Sequence, residues 1–224
     1  HAMGAMSRND VARLRTRLSK GGMDYKGFNI AVHEMGHNVE QTISMRDVDH
    51  YILNRVPNTA FTEANAFVFQ KRDLTLLGYK KADAEQAKMT ELDIFWGAYE
   101  IMGVALVDMN VWKWMYANPE ATPAQLKEAV ISVAKDVWNK YYEPVLGGKD
   151  TPLLAIYSHM INSPLYLANY PFGHIIEYQL EKYYAGKDWA KEVMRIYALG
   201  NLAPQQWMMD ATGEKISTKP MLEE

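Results

Sequence analysis

The sequence predicts an all-α chain, and three observations carry that prediction. Apolar residues recur at three- and four-residue spacing along nearly its whole length, period-two alternation is scarce, and Gly, Pro and Asn punctuate long segments. With 224 residues, 48% of them hydrophobic, the chain can bury a substantial core. The economical organisation is one domain over residues 8–224, preceded by a tag-derived stretch, "HAMGAMS", at residues 1–7.

The elements follow in order. A first helix is expected over about residues 25–44, then a polar connection with a short turn, "MRDVDHYILNRVPN". A second helix covers roughly residues 59–77 and stops at Gly78. Residues 82–119 read as one long helix or two consecutive ones. In "TPAQLKEAVISVAKDVWNKYYEPVLGG", Thr122 is suited to cap a helix and Pro123 to take its first position. An aromatic-rich stretch over residues 157–184 comes next, then short helices around 189–199 and 203–211.

Composition narrows the functional classes. A net charge of -3 with scattered Lys and Arg gives no footprint for nucleic acid, which is not expected as a partner. No uninterrupted apolar run approaches the roughly 18 residues that would span a bilayer, so no membrane association is expected of this chain. The absence of cysteine rules out disulfides and thiolate ligands, leaving imidazole and carboxylate for any metal; it gives no compartment.

The segment "FNIAVHEMGHNVEQ" puts two histidines and a glutamate into an otherwise apolar helix. Positions four apart lie on one helix face about one turn from each other, so His33 and His37 can offer two nitrogens to one tetrahedral ion. Glu34 lies about 100° round the helix, placed to take a proton from a water rather than to be a ligand. Unpaired imidazoles among Ile30, Val32, Met35 and Val39 would be costly to bury, and Gly36 between the histidines leaves room for a close neighbour. Zn²⁺ is therefore the expected cofactor.

A third protein ligand is needed. A histidine six residues beyond the second, with a glycine midway, is ruled out because those positions hold Ile43 and Glu40. In "NTAFTEANAFVFQKRD", Glu63 sits among Phe61, Ala64, Ala66, Phe67, Val68 and Phe69, where a carboxylate needs a cation, and it is the expected third ligand. Glu40, Asp47, Asp49 and His50 compete, and all four read as solvated surface; His174, on an apolar helix, reads as structural.

With "HEMGH" followed by "FTEANAF", and later "SHMINSPLYLANYPFGHIIEYQL" and "LGNLAPQQWMMDATG", the chain resembles the gluzincin peptidases of the oligoendopeptidase F and thimet oligopeptidase family, and more distantly angiotensin-converting enzyme. The resemblance implies a multi-helix zincin-like catalytic domain in which the zinc-motif helix packs on a second helix carrying a glutamate ligand. It implies His33, His37 and Glu63 as zinc ligands and Glu34 as general base. Tyr170 then matches a donor to the oxyanion, His159 a histidine near the substrate backbone, and Tyr166 a second, substrate-binding tyrosine. Two departures accompany it. Ala66 and Phe67 follow Glu63, leaving Asn65 as the only nearby polar side chain, so the support that orients a ligand must come from elsewhere or is weakened; and only a short segment precedes the zinc helix, so the chain resembles the C-terminal catalytic portion of a larger peptidase whose N-terminal region would complete the cleft. The expected activity is zinc-dependent hydrolysis of short or unfolded peptides. The alternative is a non-catalytic helical module that binds zinc, or a partner, for structure, with protein ligands in all four positions.

Overall fold

Helix dominates the computed structural model, which describes residues 1–79, 84–157 and 159–223. Among the described residues strand is limited to β1 (Ala2–Met3) and β2 (Arg13–Leu14), an antiparallel pair with Ala2 opposite Leu14. Helix α1 runs Tyr25–Asp47, and the Asp24 side chain caps it by accepting from the Gly27 N–H at 2.8 Å. A 3₁₀ turn at Tyr51–Leu53 occupies the polar connection. Helix α2 (Thr59–Gln70) begins at Asn58, whose side chain accepts from the Ala60 N–H at 3.0 Å.

Helix α2 is shorter than the periodicity predicts. The chain bends at Lys71–Arg72 and restarts as α3 (Asp73–Leu76). Leu74, Leu76 and Leu77, which extend the apolar pattern, are exposed, so burial does not hold the longer helix together. The bend has a consequence for the site, because it leaves Asp73 buried and turned back toward α1.

Residues 82–119 yield one helix, α4 (Ala84–Ala117); Ala82 and Asp83 lie outside the described residues, as does Ser158. Helix α5 (Pro123–Tyr141) starts with a capping box between Thr122 and Gln125, with Pro at its start as expected. Then come α6 (Glu143–Leu146), a 3₁₀ turn at Leu153–Ala155, α7 (His159–Asn162), α8 (Asn169–Tyr184), α9 (Trp189–Tyr197), α10 (Pro204–Thr212) and α11 (Lys219–Leu222).

The chain divides into two compact units, residues 1–95 with 172–224, and residues 96–171. The core of the first gathers Val32, Phe61, Ala64, Val68, Ile176, Leu180, Ile196 and Trp207 from α1, α2, α8, α9 and α10. Gly36 lets α1 and α2 meet closely: a Cβ there would lie 2.8 Å from the Ala66 Cα and 2.9 Å from the Phe69 Cβ. The core of the second gathers Val104, Val107, Ala134, Val137, Trp138 and Leu167. There the Tyr142 hydroxyl, its pKa pushed up to about 12 by burial, accepts from the Gly103 N–H at 2.8 Å.

Among the described residues one helix segment, Ala87–Ala117, has a mean hydropathy of 1.2 over its most apolar window and is long enough to cross a membrane, although polar residues interrupt its apolar runs. Within the fold 44% of that window is buried.

Candidate metal centre

Helices α1 and α2 bring three of the sequence-predicted residues together. His33 and His37 project from one face of α1, their rings 4.8 Å apart and nearly perpendicular. Glu63, 4% exposed, projects from α2 so that its Oε2 lies 3.4 Å from the His33 Nε2 and 3.7 Å from the His37 Nε2. Among the described residues this is the group of three whose ligand atoms all fall within 4.8 Å of one another. Zinc bonds of about 2.0–2.1 Å in a tetrahedron put neighbouring ligand atoms roughly 3.3 Å apart, close to the 3.4 and 3.7 Å that separate the Glu63 oxygen from the two nitrogens. Gly173 of α8 closes the back of the site, where a Cβ would meet the Glu63 Cβ at 3.2 Å.

The ring nitrogens facing away from Glu63 are both engaged. His33 Nδ1 lies 2.9 Å from the Gln70 Oε1, and because an amide oxygen only accepts, Nδ1 carries the proton and Nε2 the lone pair. His37 Nδ1 lies 3.1 Å from the Thr62 Oγ1, and that hydroxyl donates to the Glu40 Oε2 at 2.6 Å. With its proton directed at Glu40, Thr62 accepts from His37, so this imidazole also points a lone pair at the common centre.

These supports come from elsewhere than Asn65, as the sequence implies, and they correct one expectation, that for Glu40. Asn65 does not orient a ligand: it is fully buried, and neither of its side-chain polar atoms has a hydrogen-bond partner among the described residues. The supporting groups are Thr62, which precedes Glu63, and Gln70, two helical turns beyond it. Glu40 is not solvated surface either; it is 1% exposed beneath Thr62, whereas Asp47, Asp49 and His50 are exposed as expected.

The electrostatics differ between the two histidines. Burial opposes charge on both. At His33 the Glu63 carboxylate, helped by Gln70 and Glu34, outweighs burial and raises the pKa. At His37 burial prevails over Glu63 and lowers it, with His33 adding repulsion. Burial also pushes Glu40 up to about 7, against the hydrogen bond from Thr62.

Glu34 stands outside the ligand group, as its place on the helix predicts. Its Oε1 lies 2.5 Å from the His1 ammonium. His174 has a structural setting: it stacks on Phe67 at 4.1 Å and its Nδ1 lies 3.0 Å from the Glu177 Oε2.

The remaining predicted residues belong to the second unit and form a cluster of their own. His159 opens α7, Tyr166 follows it, and Tyr170 sits in the first turn of α8. The His159 ring is 6.1 Å from those of Tyr166 and Tyr170, which lie 5.5 Å from each other. The His159 Nδ1 is buried without a hydrogen-bond partner among the described residues. Within the same unit an apolar cavity of about 660 Å³ is lined by Trp112, Met115, Ile131, Tyr157 and Met160 among others.

No protein-family model, curated protein or solved structure matches the chain.

Proposed function

We propose that the chain is a zinc-dependent peptidase, with His33, His37 and Glu63 as metal ligands and Glu34 as general base. The observation that carries the reading is the convergence of two imidazole lone pairs and one buried carboxylate oxygen, each imidazole oriented by a hydrogen bond behind it. Three protein ligands are the number a catalytic zinc site uses, against four in a structural one. Bound there, Zn²⁺ supplies Lewis acidity.

The chain's own residues have the following parts in this reading. Glu34 takes a proton from the attacking water as its oxygen bonds to the scissile carbonyl carbon, then hands that proton to the amide nitrogen as the C–N bond breaks. The family resemblance gives Tyr170, with His159, the part of donating to the carbonyl oxygen as it gains charge, and Tyr166 that of binding the substrate backbone.

The test is Glu34→Gln, assayed with zinc-loaded protein on a mixed peptide pool. The amide keeps the shape of the side chain but accepts no proton, so turnover should fall by about 10²–10⁴-fold with zinc content unchanged. Cleavage at the parent rate would sink the assignment of Glu34.

A further inference from the structure

The hydrogen bond behind His33 does not end at Gln70. The Gln70 Nε2 donates to the Asn29 Oδ1 at 2.5 Å, and the Asn29 Nδ2 donates to the Asp73 Oδ2 at 2.7 Å. Asp73 is 5% exposed, and its carboxylate also accepts from the Tyr25 hydroxyl at 2.7 Å and from the Leu74 N–H. Tyr25, Asn29, Gln70 and Asp73 share the wall of one cavity of about 490 Å³ within the first unit.

The direction of this chain is forced from its far end. A carboxylate only accepts, so Asn29 must turn its amide nitrogen to Asp73 and its oxygen to Gln70. Gln70 must then present its nitrogen to Asn29 and its oxygen to His33. The only group left to meet that oxygen is an Nδ1–H, which leaves the His33 lone pair on Nε2, facing Glu63 and His37. Every donor points the same way, and such chains polarise one another toward the anion.

We propose that Asn29 and Asp73 are positioning residues for the metal ligand His33, the Asp73 carboxylate fixing the imidazole tautomer through Asn29 and Gln70 and strengthening the ring nitrogen that binds the ion. The inference rests on the metal-ligand assignment above and is independent of whether peptides are cleaved. Asp73 touches neither metal nor substrate. With an amide at position 73, nothing dictates which end of Asn29 faces Gln70, and the preference for the correct His33 tautomer is lost.

The experiment is a double-mutant cycle read by zinc affinity, with Zn²⁺ competed against a chromogenic chelator and the melting temperature of the metal-free protein recorded beside it. Asp73→Asn should weaken zinc binding about 10-fold, the lower end of what supporting-group changes cost, and Gln70→Ala by about 10–100-fold. Once Gln70→Ala has cut the chain, adding Asp73→Asn should change zinc affinity by less than about 2-fold. Asn29→Ala, a mild change on a half-buried helix position, should reproduce the Asp73→Asn loss and serves if that variant melts early. Zinc binding unaffected by Asp73→Asn and Asn29→Ala overturns the proposal, as does an equal Asp73→Asn loss with and without Gln70, which would make Asp73 a fold-wide influence. No zinc binding by the parent would overturn the metal reading itself along with it.

Discussion

His33 and His37 leave the same helix one turn apart and face the same oxygen of Glu63, yet they are held in different ways. Behind His37 a single hydroxyl, that of Thr62, leads to Glu40. That carboxylate is almost fully buried, its Oε1 has no hydrogen-bond partner among the described residues, and it titrates near 7. Behind His33 two amides lead to Asp73, whose carboxylate takes three donors. The difference teaches that two ligands matched in geometry can differ in what keeps them matched. On the His37 side the support depends on the charge state of one acid. A protonated Glu40 can donate to Thr62 and release the hydroxyl proton toward His37, so the tautomer is enforced only while Glu40 is ionised.

The comparison breaks most severely at Thr62. Thr62→Val keeps the side-chain shape and removes the hydroxyl, leaving His37 and Glu40 without the group between them. Zinc affinity should fall about 10–100-fold, and the metal-free protein should lose roughly 1–3 kcal/mol in chemical denaturation.

Glu40→Gln sharpens the comparison through pH. The Glu40 pKa rises from 4.5 to about 7 on folding, so between those values the folded protein holds a proton that the unfolded chain has released. Stability therefore falls as pH rises from about 4.5 to 7 and stays low above that. Glutamine cannot ionise and escapes the loss. Near pH 4 the variant and parent should unfold alike, and above pH 7 the variant should be more stable by up to roughly 3 kcal/mol, measured by denaturant titration across that range. A variant weaker than the parent above pH 7 would contradict the burial cost assigned to Glu40.

Gly36→Ala disturbs both histidines at once. The added methyl would meet α2 backbone and the Phe69 Cβ, so the helices must part, at a cost of about 1–3 kcal/mol in thermal or denaturant unfolding. The smallest effect is expected from Tyr25→Phe. Its hydroxyl, with a pKa raised to about 12 chiefly by its hydrogen bond to Asp73, lies off the route to His33. The variant should lose about 1 kcal/mol of stability and bind zinc within about 2-fold of the parent.

How much of this was legible in sequence follows from how local each signal is. The i, i+4 histidines, the Gly36 contact, the Thr122 cap and the separation of Glu34 from the ligands depend on helix geometry alone, and sequence carries them. Glu63 was legible because a carboxylate in an apolar run calls for a counter-charge. Thr62, Gln70, Asn29 and Asp73 were not, since each meets its partner across 25 to 48 residues of sequence and an ordinary polar residue on a helix has no visible partner. Glu40 misled for the same reason: its burial comes from the packing of α1 on the rest of the unit. The end of α2 was misread because exposed leucines mimic a buried face.

The central claim is that His33, His37 and Glu63 hold one zinc ion. Elemental analysis after exhaustive dialysis, on the parent and on Glu63→Ala, tests it most directly. The account predicts about one zinc per parent chain and marked loss in the variant, with both proteins folded by circular dichroism. A parent without zinc after incubation with excess metal, or a Glu63→Ala variant that retains it fully, would contradict the three-ligand site.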